Sequence, residues 1–329
     1  MQIVLAPMEG VVDAPMRRLQ AAIGGPDAMV TEFVRVTDTL LPPKVFHRLV
    51  PELQQSFCGH GNIPLTLQLL GSNPEALGIN AVRAIELGAP AIDLNFGCPA
   101  KTVNKSKGGA VMLKDPQSVY AAVKGVRDAL AHEYSVSGKM RLGYEDKLLA
   151  IENAQAIEAG GAAYLTVHAR TKVEGYKPPA HWEWIARIRE AVDIPVVANG
   201  EIWTAQDYFK CKDVSGCDRI MIGRGLVANP FLVEQIRNKD ACLDTDVNWA
   251  RLQPYLFNFF EDVRSVTDDR FVHGRIKQWV SMLSWHFPQA KVLFTKLRTV
   301  RDVEAIMAML KLEAQNYTYK PDSTVGKPA

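Results

Sequence analysis

Cysteine is scarce in this 329-residue chain: its five copies (58, 98, 211, 217 and 242) are odd in number and form no C-x-x-C pair. That speaks against a disulfide framework and against a structural zinc site, so no bound metal is expected. Long apolar runs are missing as well. No stretch approaches the ~20 apolar residues that span a bilayer, and the opening MQIVLAPMEG has neither a basic flank nor an apolar run of signal-peptide length. The expectation is a cytoplasmic protein with no membrane attachment. An excess of one charge is also lacking, since 38 Lys and Arg stand against 36 Asp and Glu beside 47% hydrophobic residues. Such a chain is not disordered in the main, and its total charge announces no nucleic-acid partner.

The distribution of charge says more than the total. From Arg270 to Arg301 there are seven Lys and Arg (270, 275, 277, 291, 296, 298, 301) and no Asp or Glu, so the remainder is net acidic by five. A basic surface on an otherwise neutral protein is an electrostatic footprint for an anion.

Eight β-branched or apolar runs recur, at 3–8, 28–36, 64–70, 91–97, 136–143, 163–170, 194–200 and 219–225. Between them lie stretches such as 73–88, 115–130, 147–160 and 181–192, whose apolar residues return every three to four positions, the helical period. Asn73-Pro74 and Asp115-Pro116 read as an N-cap followed by proline in the first turn, and Gly88 and Gly160 as helix ends. Eight β–α alternations suggest a closed (β/α)8 TIM barrel. An open doubly wound sheet is the alternative, but its G-x-G-x-x-G fingerprint is absent. Residues 37–63 and 97–114 form long connections, where function usually sits. From about residue 246 the strand signal stops and four helices follow. The expected division is a barrel at 1–243, a small all-helical C-terminal domain at 244–315 and a flexible tail at 316–329.

Barrel chemistry comes from the C-terminal ends of the strands. Those ends carry Pro7-Met8-Glu9, Glu32 with Arg35, Gln68, Asn95 with Cys98, Lys139 with Arg141, His168 with Arg170, Asn199-Gly200-Glu201, and Gly223-Arg224-Gly225. Each has a plain alternative as a barrel-mouth ion pair, but the set favours an active site. The glycine-bearing seventh and eighth ends, with Arg224, suit a phosphate. Gln68, Lys139 and His168 converging on a planar ring would fit flavin mononucleotide (FMN), although His168 taken alone reads equally as a core histidine. Cys98, between glycine and proline, is a candidate general acid; the other four cysteines read as small buried residues. Trp279 and Trp285 read as core, with stacking on an RNA base as the alternative for either.

APMEGV, TEFVRV, QLLG, DLNFGCPAKTVNKSKGGA, KMRLG, VHART, NGEI and IGRG together resemble the tRNA-dihydrouridine synthase family. RIKQW at 275–279 makes the chain most similar to the bacterial synthase C branch. The resemblance implies FMN-dependent reduction of the C5–C6 bond of a D-loop uridine in tRNA, at position 16 for that branch, with NADPH as electron donor. It implies flavin contacts for Pro7, Met8, Glu9, Gln68, Lys139, His168, Asn199, Gly200, Glu201, Gly223 and Arg224. Cys98 would donate the proton, with Asn95, Lys139 and Arg141 beside the uracil. Arg35, Asn95, Tyr176, Arg275, Lys277 and Arg298 would touch tRNA. A monomer with no obligate protein partner is the expectation. Two rival readings are an FMN barrel enzyme acting on a free pyrimidine or enone, and a non-catalytic tRNA-binding protein.

Overall fold

A computed structural model describes residues 1–54, 62–239 and 244–317. Cys58, Cys242, the expected division after residue 243 and the tail beyond Tyr317 lie outside the described residues. The described residues form nine parallel strands: β1 (Gln2–Leu5), β2 (Ala28–Val30), β3 (Val34–Arg35), β4 (Leu65–Leu70), β5 (Ala91–Phe96), β6 (Ser135–Arg141), β7 (Tyr164–His168), β8 (Val196–Asn199) and β9 (Arg219–Ile222). β1 pairs with both β2 and β9, and β2 pairs with β4, so eight of them close a barrel.

The run 28–36, expected as a single strand, is broken in two. The Thr31 Oγ1 accepts the Gln68 backbone N–H at 3.1 Å, so a side chain takes the place of a backbone ladder partner. Only two residues resume pairing, as β3 beside the end of β4. The other seven strands fall within their expected runs or begin one residue early.

Alternation along each strand sorts side chains to two faces. Ile3, Leu5, Leu67, Leu69, Ile92, Leu94, Val136, Met140, Leu165 and Val167 pack outward against the helices in one core. The inward residues differ around the ring. Val4, Ala6, Val30, Val197 and Met221 form an apolar cluster inside the barrel, whereas β4 to β7 turn Gln68, Asp93, Asn95, Ser137, Lys139, Arg141 and His168 inward. Register sets these side by side: Gln68 opposes Asp93, Asp93 opposes Ser137, Asn95 opposes Lys139, and Arg141 opposes His168.

The helices begin where the sequence signals them. Asn73 accepts from the N–H of Glu75 and Ala76 at the head of helix Pro74–Glu86, and Asp115 caps helix Pro116–Ala129. Gly88 follows its helix with φ +105°; after Ala159, Gly161 rather than Gly160 takes the left-handed turn, with φ +94°. The connection 97–114 holds a short helix, Lys101–Lys105, and a 3-10 turn, Gly109–Lys114.

Among the described residues, four helices follow from Asp244 onward: Thr245–Val266, Asp269–Leu283, Pro288–Leu297 and Val303–Asn316. Asp244, Asp268 and Asp302 cap three of them. They share the barrel's outer core. Trp279 is fully buried against Phe259 (ring centroids 4.8 Å apart), and its Nε1–H donates to the Val227 carbonyl at 3.1 Å. Of the two readings offered for it, Trp279 is core; removing such a side chain costs about 3–5 kcal/mol. Among the described residues no helix is long and apolar enough to cross a membrane.

Candidate active site

The C-terminal ends of the strands surround a cavity of about 500 Å³. Pro7, Met8 and Glu9 contribute from β1, Gln68 from β4, Asn95 and Cys98 from β5, and Lys139 and Arg141 from β6. His168 follows from β7, Asn199, Gly200 and Glu201 from β8, and Gly223 and Arg224 from β9. Every residue expected at the flavin or the reacting base therefore borders one space. Tyr176, Trp203 and Met282 close its mouth. Neither Trp203 nor Met282 carries a signal in the sequence, because each arrives from a loop or a distant helix.

The cavity wall is cationic. Lys139, Arg141 and Arg224 stand around it, and Arg170 is buried behind it. The Glu201 carboxylate is held by Arg170 and accepts from Trp203 Nε1 at 3.0 Å, so it is neutralised within the protein. Burial first, and then the charges of Arg141, Lys139, Arg170 and Arg224, push His168 well below the ordinary histidine range. A neutral imidazole results. Burial, with the neighbouring Arg141 charge, holds the Lys139 ammonium down at about 8. Its Nζ donates to Asn199 Oδ1 at 3.2 Å, while Asn199 Nδ2 donates to the Met221 carbonyl at 2.8 Å, which fixes that amide's orientation.

Cys98 is 9% exposed, packs against Leu70 and Val103, and still borders the cavity. Burial is the largest influence on its thiol and pushes it up, so sulfur keeps its proton at neutral pH. Its backbone N–H donates to Asn95 Oδ1 at 2.9 Å, and that of Gly97 donates to the same oxygen at 2.8 Å. Arg141 ties two loops together, donating to the carbonyls of Gly97 (2.8 Å), Thr171 (3.0 Å) and Gly175 (2.9 Å). Tyr176, half exposed at the mouth, lies over both Arg141 and Arg224, 5.2 and 4.8 Å from ring centre to guanidinium.

The donor set suits a flavin bearing one phosphate. Amides at Gln68 and Asn199, a neutral imidazole and an ammonium surround the space, and Arg224 stands beside Gly200 and Gly223. Gly200 has φ +122°, and a Cβ there would come within 2.9 Å of the His168 ring. Only glycine allows strand β8 to turn under that imidazole.

The residues expected at RNA divide. Asn95 and Tyr176 border the cavity, while Arg35 and Arg298 are exposed outside it and Lys277 is half-buried. Arg35 donates to Ser106 Oγ at 2.7 Å and to the Thr102 carbonyl. Arg275 is engaged within the protein. Its Nε and NH2 clamp the Asp13 carboxylate at 2.9 Å each, its NH1 and NH2 donate to the carbonyls of Gly10 (3.2 Å) and Val11 (3.1 Å), and NH1 also holds Gln278. All five guanidinium N–H groups are taken, so this side chain docks the helical region onto the barrel and has no donor for a phosphate. Lys277, Lys291, Lys296, Arg298 and Arg301 make no ion pair among the described residues. Trp285 is 55% exposed and meets Trp203 in a tilted contact, ring centroids 5.0 Å apart and planes 57° to each other.

Comparison with known proteins gives the family. The dihydrouridine synthase family model matches residues 4–305. The tRNA-dihydrouridine(16) synthase of Aquipseudomonas alcaligenes is 51% identical over 95% of this chain and 99% of its own length. That of Pseudomonas putida is 51% identical over 96% and 98%, and that of Neisseria meningitidis serogroup A is 46% identical over 94% and 93%. Among solved structures, histamine dehydrogenase from Rhizobium sp. 4-9 superposes with a TM-score of 0.52 at 14% identity, covering 79% of this chain and 48% of that one, a likeness of fold alone. With the family model matching residues 4–305 and relatives about half identical over nearly the whole length, the chain belongs to the dihydrouridine synthase family.

Proposed function

We propose that this protein reduces the C5–C6 bond of uridine 16 in the D-loop of tRNA, with FMN as its flavin and NADPH as electron donor. The observation that carries the reading is that a protonated Cys98 thiol and the cations Lys139 and Arg141 border the same cavity as the amides and neutral imidazole suited to a flavin. Gln68, His168 and Asn199 would hold the ring system; Gly200, Gly223 and Arg224 would hold the phosphate, with Pro7, Met8 and Glu9 on the neighbouring wall, where β1 pairs with β9.

A bound flavin supplies the hydride. Negative charge then develops on uracil C5 and its C4 carbonyl, and donors already in place lower its energy. Asn95 retains one side-chain N–H beyond its bond to Gln68, and the Lys139 ammonium retains two beyond Asn199. Arg141 adds positive charge from its anchored position. Cys98 delivers its proton to C5, and the raised thiol pKa keeps that proton available at neutral pH. The target base must leave its stack to enter the cavity. The cations Lys277, Lys291, Lys296, Arg298 and Arg301, without an ion pair among the described residues, supply phosphate attraction that offsets this cost. Met282 completes the cavity from within the same chain, so the reading asks for a monomer and no protein partner.

Purified protein should be yellow and release FMN on denaturation. With NADPH it should form dihydrouridine at position 16 of unmodified tRNA far faster than in free uridine. Equal turnover on free uridine would favour a small-molecule reductase, and colourless protein that cannot take up FMN would favour a binding protein. Product at another D-loop position would overturn the assignment to 16.

A further inference from the structure

Asp93 lies two residues before Asn95 on β5, so the strand period turns both into the barrel. It is 2% exposed and sits one layer below the cavity. Its Oδ1 accepts from Ser137 Oγ at 2.6 Å and its Oδ2 from Gln68 Nε2 at 2.7 Å. Gln68 Oε1 in turn accepts from Asn95 Nδ2 at 2.7 Å. Asn95 Oδ1 then receives the backbone N–H groups of Gly97 and Cys98. A hydrogen-bonded line thus runs from the barrel interior to the turn carrying the thiol.

Each amide in that line has two faces, and a half-turn exchanges donor for acceptor. The carboxylate has no such ambiguity, because both its oxygens accept. Gln68 must therefore aim its NH2 at Asp93, which leaves its oxygen for Asn95. Asn95 must aim its NH2 at Gln68, which leaves its oxygen for the turn. Reversing any link would set the Asn95 NH2 against the two backbone donors it now faces. We propose that Asp93 is a positioning residue that imposes one polarity on the Gln68 and Asn95 amides and thereby holds the Gly97–Cys98 turn with its sulfur at the cavity. Ser137 is the adaptable end of the line, because a hydroxyl can donate or accept. Burial pushes the Asp93 carboxyl up, while the Ser137 and Gln68 donors and the Lys139 charge pull it down. A proton placed on the oxygen facing Ser137 would still leave Gln68 an acceptor.

The catalytic consequence rests on the proposed role of Cys98, whereas the geometry can be tested without it. Amide hydrogen exchange is measured in the full-length protein, with the Ile3 N–H, held by Asp27 Oδ2 at 2.7 Å and remote from the turn, as an internal reference. Asp93→Leu keeps the forked heavy-atom skeleton, with bulkier methyl ends, and removes both acceptors. Exchange at Gly97 and Cys98 should accelerate about tenfold, on the scale of one lost hydrogen bond, while Ile3 stays unchanged. Asp93→Asn should exchange as wild type, with its NH2 toward Ser137 and its oxygen toward Gln68. In the Gln68→Leu background, Asp93→Leu should add nothing.

Wild-type exchange at both amides in folded Asp93→Leu would overturn the proposal, as would additive effects in the pair. Should Asp93→Leu not fold, Asp93→Asn decides: acceleration there overturns the proposal, and wild-type exchange, together with acceleration in Gln68→Leu alone, supports it. Absence of any dihydrouridine formation by the wild-type protein would sink the proposed activity and leave this exchange pattern standing.

Discussion

Replacing Arg275 by alanine separates two roles that a basic residue in an acid-free segment can play. In the structure its guanidinium joins helix Asp269–Leu283 to the loop before helix Ala14–Ala22, and the pair is mostly covered, with Arg275 17% and Asp13 28% exposed. Breaking a fully buried pair costs about 3–5 kcal/mol, and an exposed pair contributes about 0–1. The geometry here lies between, at about 2 kcal/mol, because Asp13 keeps its bond from the Met16 N–H at 3.1 Å and some access to water. With an unfolding entropy of about 2.1 cal/mol/K per residue, that loss lowers the Tm of a chain this size by about 3 °C. The slope of log K for tRNA against log salt should not change, since no Arg275 donor is free for a phosphate. Lys277→Ala should do the opposite, leaving Tm nearly unchanged and reducing the slope by about 0.9. Scanning calorimetry and filter binding between low and moderate salt read both quantities. A slope reduced by about 0.9 in Arg275→Ala, with Tm unchanged, would refute the docking role.

Cys98→Ala should retain flavin and tRNA binding and lose reduction by about 10²-fold or more; single-turnover oxidation of the reduced enzyme by tRNA measures it, and full turnover would remove the thiol from the mechanism. Activity should fall as pH rises through about 8, where Lys139 loses its proton, and Lys139→Met should abolish that limb of the profile. The same residue gives a stability signature of opposite sense. Its folded pKa lies below the ordinary 10.5, so the unfolded chain holds the proton longer; the cost to the folded state is full below pH 8 and fades as pH rises toward 10.5. Tm in the wild type should therefore rise across that window relative to Lys139→Met. Trp285→Ala should weaken tRNA binding about tenfold, the scale of one lost base stack, and an unchanged affinity would return Trp285 to a bystander.

Much of the site was legible because a barrel assigns chemistry by position. Once eight β–α repeats are counted, the last polar residue of each run becomes a candidate, and Gln68, Asn95, Cys98, Lys139, His168 and Arg224 all border the cavity. Asp93 was legible in principle, as a carboxylate in an apolar strand, on the same face as Asn95. The break at Thr31 was not, because it depends on a hydroxyl meeting a backbone N–H across the ladder. Nor was the commitment of Arg275, whose partners lie some 260 residues earlier in the chain, or the neutralisation of Glu201 by Arg170.

By itself, the order of residues determined the repeats, the helix caps and which side chains share a strand face, since these follow from local periodicity and short-range hydrogen bonding. Only the closed tertiary structure decided which of those side chains meet, which cations are already paired among the described residues, and in which direction burial shifts the protons of His168, Lys139 and Cys98. Contact and desolvation between distant segments exist only once the ring is shut.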